Sequence, residues 1–275
     1  MACSLDGAPF SACVSPHEYT GLGEGRHTLR VQATDRAGNF DQTSASYSWT
    51  VDRTAPETSI GDRPADPTNA GSAILFFSAS EPATFACALD GGAFAACQSP
   101  ALYENLPEGR HSFQVQAVDP AGNADLTPAS YSWTVDQTSP ETTIDSAPPA
   151  ETASTTASFE FSAEPGASFE CALDTGAFST CQSPKHYTSL SLGPHEFHVR
   201  ATDRAGNRDE SAAVHRWTVT PPPDTVAPET SIDSWPADPT NGTSATFTFS
   251  ASEPASFACS LDNAPFTRCD SPTEY

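Results

Sequence analysis

Eight cysteines are the residues of this sequence whose type and spacing predict chemistry most directly. Within each pair, nine residues separate the two cysteines, and no cysteine is left over. The four pairs are Cys3 with Cys13, Cys87 with Cys97, Cys171 with Cys181, and Cys259 with Cys269. Zinc ribbons and redox sites use Cys-x2-Cys spacing, whereas nine residues around a turn place two sulfurs on facing strands of a hairpin. The spacing favours disulfides over free thiols or metal ligands, and disulfides indicate an oxidising compartment.

A second group of side chains, rich in carboxylates, has the chemistry of a cation site. These residues recur in the same order in two stretches of the chain. The first set is Asp52, Glu57, Glu81, Asp119, Asn123 and Asp125, and the second set is Asp136, Glu141, Glu164, Asp203, Asn207 and Asp209. Calcium takes six to eight oxygen ligands, which carboxylates and amides at one end of a domain would supply. The alternative is that these Asp and Asn side chains only cap tight turns through bonds to the backbone. No other cofactor is predicted.

Histidine, serine and aspartate are numerous enough to suggest a hydrolase triad, but nearly every candidate recurs at the same position of an internal repeat. An active site brings distant segments into one pocket and is seldom built several times in one chain. The sequence also has no phosphate-binding loop, no His-Glu-x-x-His and no dinucleotide fingerprint. We therefore predict that the protein is not an enzyme and that it has no catalytic residues.

The elements that must position these side chains belong to a repeat of 84 residues, which is the spacing of Trp49, Trp133 and Trp217. The next period is four residues longer because the junction at residues 220–226 contains a Pro-rich insertion, typical of a stiff linker. The incomplete repeats at both ends predict that the sequence is a piece of a longer protein. The predicted domains are residues 1–53 (incomplete, strands C to G), 54–137 (complete), 138–222 (complete, with the Pro-rich linker) and 223–275 (incomplete, strands A to C′).

Apolar residues within each repeat alternate with a period of two, as at Phe113, Val115 and Ala117. This alternation predicts half-buried β-strands. Turn sequences such as Asp90-Gly91 separate the strands, because Gly and Asp tolerate the backbone angles of tight turns. About seven short strands in 84 residues predict an all-β fold in which each repeat is a β-sandwich.

The repeat resembles the immunoglobulin-like and fibronectin type III-like tandem modules of large secreted or cell-surface bacterial proteins. The resemblance lies in the Asp-x-Ala-Gly-Asn box at 119–123, in the Trp-Thr-Val-Asp ending at 133–136, and in residues 106–117, which resemble the E-to-F corner of those modules. It implies tandem immunoglobulin-like β-sandwiches. Where those families often place a corner tyrosine, this chain has His27, His111 and His195. A ring N–H of each histidine could make the same bond to the backbone.

Charge narrows the range of partners. The chain has 12 basic and 35 acidic residues, a net charge of -23 and a pI near 4.3. Its field repels phosphate and anionic lipid, so nucleic acid and membrane surfaces are not expected partners. We expect an extracellular or cell-surface spacer array whose partners are its own neighbouring repeats. The alternative is an adhesin, or a module that binds a cell-surface glycan or protein through loops at one pole. Unequal surfaces among the repeats would favour this alternative.

Overall fold

The computed structural model describes all 275 residues and consists of β-strands and turns, with no α-helix. No helix of the length and apolarity needed to cross a bilayer is therefore present. The strands form four groups along the chain, within residues 2–51, 58–135, 143–219 and 230–274. The predicted boundaries after residues 53, 137 and 222 all lie between strands.

Residues 1–53 form a single antiparallel sheet. Its strands are β1 (Ala2–Leu5), β2 (Ser11–Ala12), β3 (Gly25–Gln32) and β4 (Ala45–Val51), in the order β2-β1-β3-β4. They correspond to strands C, C′, F and G of an immunoglobulin-like repeat. Strand E, which the predicted range C to G included, does not form here, because strand B, its partner in the complete repeats, is absent. No second sheet covers this sheet, and Trp49 on its inner face stays partly exposed.

Residues 54–137 form a complete sandwich of two sheets. The strands are β5 (Thr58–Ile60), β6 (Ala73–Leu75), β7 (Phe77–Ala79), β8 (Thr84–Leu89), β9 (Ala95–Cys97), β10 (Ala101–Tyr103), β11 (Gly109–Val118) and β12 (Ala129–Val135). One sheet has the order β12-β11-β8-β9, and the other combines the pairs β5-β7 and β10-β6. Because β6 and β7 are two parts of strand B, the repeat has seven strands, A-B-E facing G-F-C-C′. This arrangement confirms the predicted all-β sandwich.

The core of this repeat follows from the period-two alternation. Phe113, Val115 and Ala117 on β11 point inward and have no exposed surface, while the residues between them face solvent or are half-buried. Phe113 and Val115 pack in one cluster with residues of the opposite sheet, including Leu75 and Phe77. Burying each such side chain contributes roughly 1.5–3 kcal/mol relative to leaving it exposed.

Residues 138–222 repeat the same sandwich. The strands are β13 (Thr143–Ser146), β14 (Glu151–Thr152), β15 (Ala157–Ser162), β16 (Ser168–Leu173), β17 (Ser179–Cys181), β18 (Lys185–Tyr187), β19 (Gly193–Thr202) and β20 (Ala213–Val219). The sheet β13-β15-β18 faces the sheet β14-β20-β19-β16-β17. Strand A is divided: β13 pairs with strand B, and β14 pairs in parallel with strand G. The core centres on Phe159 and Phe197, whose ring centroids are 4.0 Å apart.

Residues 223–275 carry the other side of the sandwich. The strands are β21 (Thr230–Ser234), β22 (Thr246–Ala251), β23 (Phe257–Cys259), β24 (Thr267–Cys269) and β25 (Thr273–Glu274). The sheet β21-β22-β25 corresponds to A-B-E, and β23-β24 is the C-C′ hairpin. The predicted content, strands A to C′, was one strand too short, because strand E forms on the free side of β22. Strands F and G are absent from this domain.

A disulfide joins strands C and C′ in every copy, and no free cysteine remains. In the second repeat Cys87 lies opposite Ala95, and Cys97 lies opposite Phe85, so the bond runs diagonally across the hairpin. The turn between β8 and β9 needs positive φ at two successive residues, 51° at Asp90 and 72° at Gly91. Asp and Gly tolerate that conformation, which explains the Leu-Asp-Gly sequence at this turn.

Candidate functional site

Three carboxylates meet where the chain enters the second repeat. Asp52 comes from the incoming linker, Glu81 from the turn between strands B and C, and Asp119 from the hairpin between strands F and G. One oxygen of each lies within 4.8 Å of the others. The next joint repeats this arrangement with Asp136, Glu164 and Asp203. We call these two groups the joint triads.

The electrostatics of the first triad are those of crowded like charges. The pKa of Glu81 is raised, first by burial and then by the nearby carboxylates of Asp52 and Asp119. A raised carboxyl pKa means that the ionised form is disfavoured at this position. A bound cation would reverse that effect, because it would place opposite charge next to all three carboxylates.

Asp119 has a second role within its own hairpin. Its Oδ1 accepts the backbone N–H of Asn123 at 2.8 Å, and its Oδ2 accepts Nδ2 of Asn123 at 2.8 Å. These bonds lower the pKa of Asp119, with the side-chain amide of Asn123 as the largest cause. Asp203 and Asn207 make the same pair of contacts in the third repeat. A carboxylate has about four acceptor positions, so turn capping and cation binding are compatible at these aspartates.

The two asparagines connect the repeats as well. Nδ2 of Asn123 also donates to the backbone oxygen of Asp52 at 3.2 Å, and Nδ2 of Asn207 donates to that of Asp136 at 2.8 Å. Each asparagine therefore bonds the F–G hairpin of one repeat to the linker that precedes it. Their amide nitrogens act as donors here, which is not the role of a cation ligand.

Two further aspartates from the predicted cation sets lie outside the triads. Oδ2 of Asp125 accepts the backbone N–H of Thr58 at 3.0 Å and its Oγ1 at 2.5 Å, while Oδ1 accepts both donors of Thr127. Burial raises the pKa of Asp125, but these hydrogen bonds outweigh burial and lower it. Asp209 accepts the backbone N–H of Thr142 at 3.0 Å and both donors of Ser211, while Oγ1 of Thr142 accepts the backbone N–H of Ala201. These aspartates therefore hold the start of strand A against the F–G hairpin.

Glu57 and Glu141 are also outside the triads. Both side chains are exposed, and no hydrogen bond or ion pair involves their carboxylates. Each predicted set of six residues thus separates into three carboxylates that converge, one asparagine that connects repeats, one aspartate that ties two strands, and one exposed glutamate.

The corner histidines form a second recurring site. Nε2 of His111 is 2.8 Å from the backbone oxygen of Pro107, and Nδ1 is 2.8 Å from Oδ2 of Asp90. Oδ1 of Asp90 accepts the backbone N–H of Ser112 at 2.7 Å. The copies of this site pair His27 with Asp6 and the Gly23 oxygen, and His195 with Asp174 and the Ser191 oxygen. In each copy, Nε2 of the histidine contacts the carbonyl oxygen of the residue four positions earlier. A histidine-to-backbone bond of this kind was the expectation for the corner.

The pKa of His111 is set by opposing effects. Burial lowers it, but the Pro107 oxygen and the Asp90 carboxylate outweigh burial, so the net shift is upward. The pKa of Asp90 is lowered, because the bonds from His111 and Ser112 outweigh burial, which raises it. Two oxygen acceptors around one ring favour the imidazolium, in which both nitrogens carry a proton. The site is a buried link between strand F, the C–C′ turn and the loop that precedes strand F.

Sequence reasoning did not identify the aspartates of this site, Asp6, Asp90 and Asp174. A signal for them existed: each stands 21 residues before its histidine in all three copies. The aspartate and the histidine of each pair thus occupy the same positions in every copy of the repeat, which is typical of residues that contact each other.

No protein-family model and no curated protein matches this chain. The fibronectin(III)-like modules of Clostridium thermocellum CbhA are 14% identical with a TM-score of 0.38, over 60% of this chain and 95% of that chain. A Ca2+-stabilized, ice-binding adhesin of an Antarctic bacterium is 14% identical with a TM-score of 0.36, over 83% of this chain and 66% of that chain. A tetra-tandem repeat from the extending region of a large adhesion protein is 17% identical with a TM-score of 0.30, over 100% and 81% of the two chains. Because these similarities are so low, the fold assignment rests on the strands themselves.

Proposed function

We propose that this chain is a non-catalytic spacer within a larger protein that acts outside the cell or at its surface. The observation that carries the proposal is that two successive joints are built from the same contacts. Asn123 bonds the backbone of Asp52 at the first joint, and Asn207 bonds that of Asp136 at the second. A repeated joint sets a repeated angle between domains, which is what an extended array requires.

Further contacts bond one repeat to the next. At the second joint the backbone N–H of Asn69 donates to the oxygen of Ala205 at 3.2 Å, so the second and third repeats touch directly. Just before that joint, Oγ1 of Thr138 donates to Oε1 of Glu108 at 2.7 Å, which holds the linker against the repeat it leaves. Thr54 and Glu24 form the equivalent pair at the first joint. These contacts favour a rod-like array over repeats that reorient independently of one another.

The disulfides support a location outside the cell. Four cross-linked hairpins in one chain would not persist in the reducing cytosol, whereas they are stable in secreted proteins. The absence of catalysis is inferred from recurrence. The titratable groups that cluster, the joint triads and the His–Asp pairs, occur in successive copies, whereas an active site is seldom built several times in one chain.

Small-angle scattering on the full chain tests the rod. Strands of ten residues make each repeat about 33 Å long, so we expect an elongated particle several repeats long. Inserting Gly-Ser-Gly-Ser between Val135 and Asp136 should broaden the distribution of end-to-end distances. The same insertion in the exposed turn at Gly91-Gly92 is the matched control and should leave the distribution unchanged. A compact particle, or equal responses to both insertions, would contradict the spacer.

A second candidate function, binding of a surface partner, has one specific observation in its favour. Ile74, Phe76 and Leu102 lie on the outer face of the A-B-E sheet of the second repeat and are 50%, 44% and 57% exposed. The third repeat has Ser158, Glu160 and His186 at these positions. Such inequality is typical of a binding surface. Screening the chain against glycan and surface-protein arrays tests this second function. The variant Ile74→Ser plus Leu102→His, which introduces the residues of the third repeat, should lose binding.

We also propose that the joint triads bind calcium, at the weak affinity of extracellular sites, about 10⁻⁴–10⁻³ M. What supports this is that three carboxylates converge at both joints, while their neighbours are occupied by hydrogen bonds. A divalent cation would offset the repulsion recorded in the raised pKa of Glu81. It would also clamp the linker to two loops of the next repeat.

The calcium proposal is tested by thermal unfolding with millimolar calcium and with chelator. Calcium should raise the melting temperature of the wild type. Glu81→Gln with Glu164→Gln should abolish the rise, because it removes one carboxylate from each triad. The side chains of these glutamates make no hydrogen bond whose loss would confuse the result. Glu57→Gln with Glu141→Gln removes two exposed carboxylates outside the triads and should respond like the wild type. No shift in the wild type, or an equal shift in both variants, would exclude calcium.

A further inference from the structure

The outer face of the G-F-C-C′ sheet carries a phenylalanine at the same place in successive copies of the repeat. It follows the C–C′ turn at Phe10, Phe94 and Phe178. In these three copies strands C′, C, F and G pair in the same order. Phe10 and Phe94 are both 42% exposed, whereas Phe178 is less exposed. The three copies therefore differ in what covers the ring.

In the third repeat an arginine covers this ring. Cζ of Arg200 on strand F lies 4.0 Å from the ring centroid of Phe178. Nε and Nη2 of Arg200 both donate to Oε2 of Glu170 on strand C, at 2.9 and 2.8 Å. The negative face of an aromatic ring attracts a guanidinium, and the charge-assisted bonds to the carboxylate fix its position. The third repeat thus places a cation of its own over the ring.

The second repeat has the same ring without the cation. Gln116 and Ala86 stand at the positions of the arginine and the glutamate. Nε2 of Gln116 donates to the backbone oxygen of Asp125 at 2.9 Å, which binds this amide to the F–G hairpin. The other cation–ring contacts of the chain involve tyrosines. No cation of the chain therefore lies over Phe94.

The first copy differs from the second by one charge next to its ring. Arg30 stands two residues before Gln32, on the same outer face of strand F, and is exposed. The equivalent residue of the third repeat, His198, lies beside the phenylalanine, with ring centroids 6.4 Å apart. In the second repeat this position is Gln114, which carries no charge. An arginine beside the ring repels a second cation. Of the three copies, the second alone has an uncovered ring with no positive charge next to it.

The surroundings of Phe94 suit a guanidinium from another molecule. Gln114 makes no side-chain hydrogen bond and Gln116 uses only its Nε2, so both amide oxygens are free to accept. Guanidinium N–H groups can donate to such oxygens while the plane of the group stacks on an aromatic ring. The one arginine on strand F, Arg110, is four residues from Gln114, about 13 Å along the strand. The repeat therefore leaves the ring and both oxygens available.

The charge of the second repeat favours a cationic ligand. Residues 54–137 contain ten acidic and two basic residues, a net charge of -8 with histidine neutral. The field of the repeat attracts a basic molecule and accelerates its encounter with the surface. A second copy of this chain, with its net charge of -23, is repelled instead. The ligand that fits is a different molecule that carries arginine side chains.

We infer that the outer G-F-C-C′ face of the second repeat binds an arginine-bearing, basic segment of a partner protein, with one guanidinium on the ring of Phe94. The partner's guanidinium takes the place that Arg200 takes on Phe178 in the third repeat. The inference is independent of the spacer function. It is also independent of the exposed apolar residues on the A-B-E sheet, which forms the opposite side of the same sandwich.

Titration of the full chain with a capped hexa-arginine peptide tests the inference, with the phenylalanine rings observed by NMR after selective labelling. The ring resonances of Phe94 should shift, and those of Phe178, which Arg200 covers, should not. Hexalysine has the same charge but no planar guanidinium, so it should bind more weakly and shift Phe94 less. A neutral oligosaccharide should leave Phe94 unchanged.

A charge-neutral pair of substitutions separates ring binding from general attraction to an acidic protein. Ala86→Glu with Gln116→Arg gives the second repeat the arrangement of the third, so the ring is covered from within the chain. The Phe94 response should disappear, and peptide affinity should fall about two- to fivefold, the factor that one exposed cation–ring contact is worth. Ser59→Glu with Ser78→Arg places the same charges on paired residues of the A-B-E sheet and should bind like the wild type.

The reverse exchange uncovers the ring of the third repeat. Glu170→Ala with His198→Gln and Arg200→Gln gives that repeat the residues of the second, and the ring of Phe178 should then respond to the peptide. Phe94→Ala, which removes the ring alone, should weaken binding by the same factor as the covered variant. An unshifted Phe94 ring, equal affinities of the covered and control variants, a Phe178 ring that stays unresponsive once uncovered, or a neutral oligosaccharide bound in place of the peptide would overturn the inference.

Discussion

Nδ1 of His111 lies 2.8 Å from Oδ2 of Asp90, and this contact bonds the middle of one sheet to the turn between strands C and C′. The histidine ring is almost fully buried beneath Trp133, whose ring centroid is 5.7 Å away. Its other nitrogen holds the loop that leads into strand F. One side chain thus connects three segments, and His27 and His195 repeat the connection. The recurrence indicates that the pair serves the stability of each repeat.

Replacing His111 should destabilise its own repeat and leave the next one unchanged. We expect His111→Ala to lower the free energy of unfolding of the second repeat by about 1–2 kcal/mol, because it removes two hydrogen bonds and leaves acceptors without donors. Hydrogen exchange followed by mass spectrometry measures the two repeats separately in one chain. The third repeat, with its intact His195 and Asp174, is the internal reference.

A double-mutant cycle with Asp90→Ala isolates the contact between the two side chains. The double variant should lose less stability than the sum of the single variants, with a coupling energy of about 0.5–3 kcal/mol. Asp62→Ala, which removes an exposed carboxylate elsewhere in the repeat, should show no coupling to His111→Ala. Additive effects of the Asp90 and His111 replacements would mean that the contact contributes nothing measurable.

The same pair predicts how the stability of the second repeat depends on pH. The pKa of folded His111 lies above 6.5, so its contribution is complete below that pH and is lost as pH rises through the raised pKa. The pKa of folded Asp90 lies below 3.8, so its contribution is present above that pH and is lost as pH falls through the lowered pKa. The pair therefore stabilises the repeat most between about pH 4 and 6.5.

Denaturant unfolding of the second repeat between pH 5 and 9 measures the alkaline side of this window. Stability should decline as His111 loses its proton, and His111→Gln should remove the decline, because glutamine does not titrate. The imidazole resonances of His111 should titrate above pH 6.5. A stability that rises through this pH range in the wild type would contradict the assigned direction of the pKa shift.

The disulfide of each hairpin should stabilise the repeat that contains it. The loop closed by Cys87 and Cys97 spans a sequence separation of ten residues, for which the loss of unfolded-state entropy is worth about 2–3 kcal/mol. Replacing both cysteines by alanine should reduce the stability of the second repeat by about that amount. Peptide mapping without reduction should find four bonds, each within one hairpin. A bond between different repeats, or a free thiol after oxidative expression, would refute the pairing.

Much of the fold could be predicted because the determining signals are local. The alternation of Phe113, Val115 and Ala117 identifies one buried face whichever partner covers it. The nine-residue cysteine spacing identifies a hairpin for the same reason. Strand E behaved differently in the two incomplete domains: residues 17–19 form no strand, whereas Thr273–Glu274 do. The difference arises because only the second domain contains strand B, the pairing partner, so this strand depends on a non-local contact.

The joint triads were less predictable than the fold. Aspartates inside and outside the triads are the same residue type, and they differ only in the groups that they contact. Asp119 and Asp125 are both buried aspartates of one hairpin. Asp119 keeps an oxygen near two other carboxylates, whereas Asp125 uses its oxygens on threonine donors. The partner of Asp125, Thr58, lies 67 residues away in the sequence. Composition and spacing cannot separate these two cases, because the distinction depends on which strand ends adjoin the hairpin.

Asp125 itself provides the last prediction, which concerns how strand A is held. Its carboxylate accepts bonds from Thr58 on strand A and from Thr127 beyond the F–G turn, and the side chain is 2% exposed. Asp125→Ala leaves several buried donors without an acceptor, and each such donor costs about 1–3 kcal/mol. We expect a loss of stability larger than that of His111→Ala, with hydrogen exchange accelerating first in β5 and at the F–G turn. Asp125→Asn keeps one acceptor oxygen and should lose less. Asp41→Ala, the same position in the domain that lacks strand A, is the matched control and should leave the second repeat unchanged. If Asp125→Ala left exchange in β5 at the wild-type rate, then strand A would be held by its pairing with β7 alone.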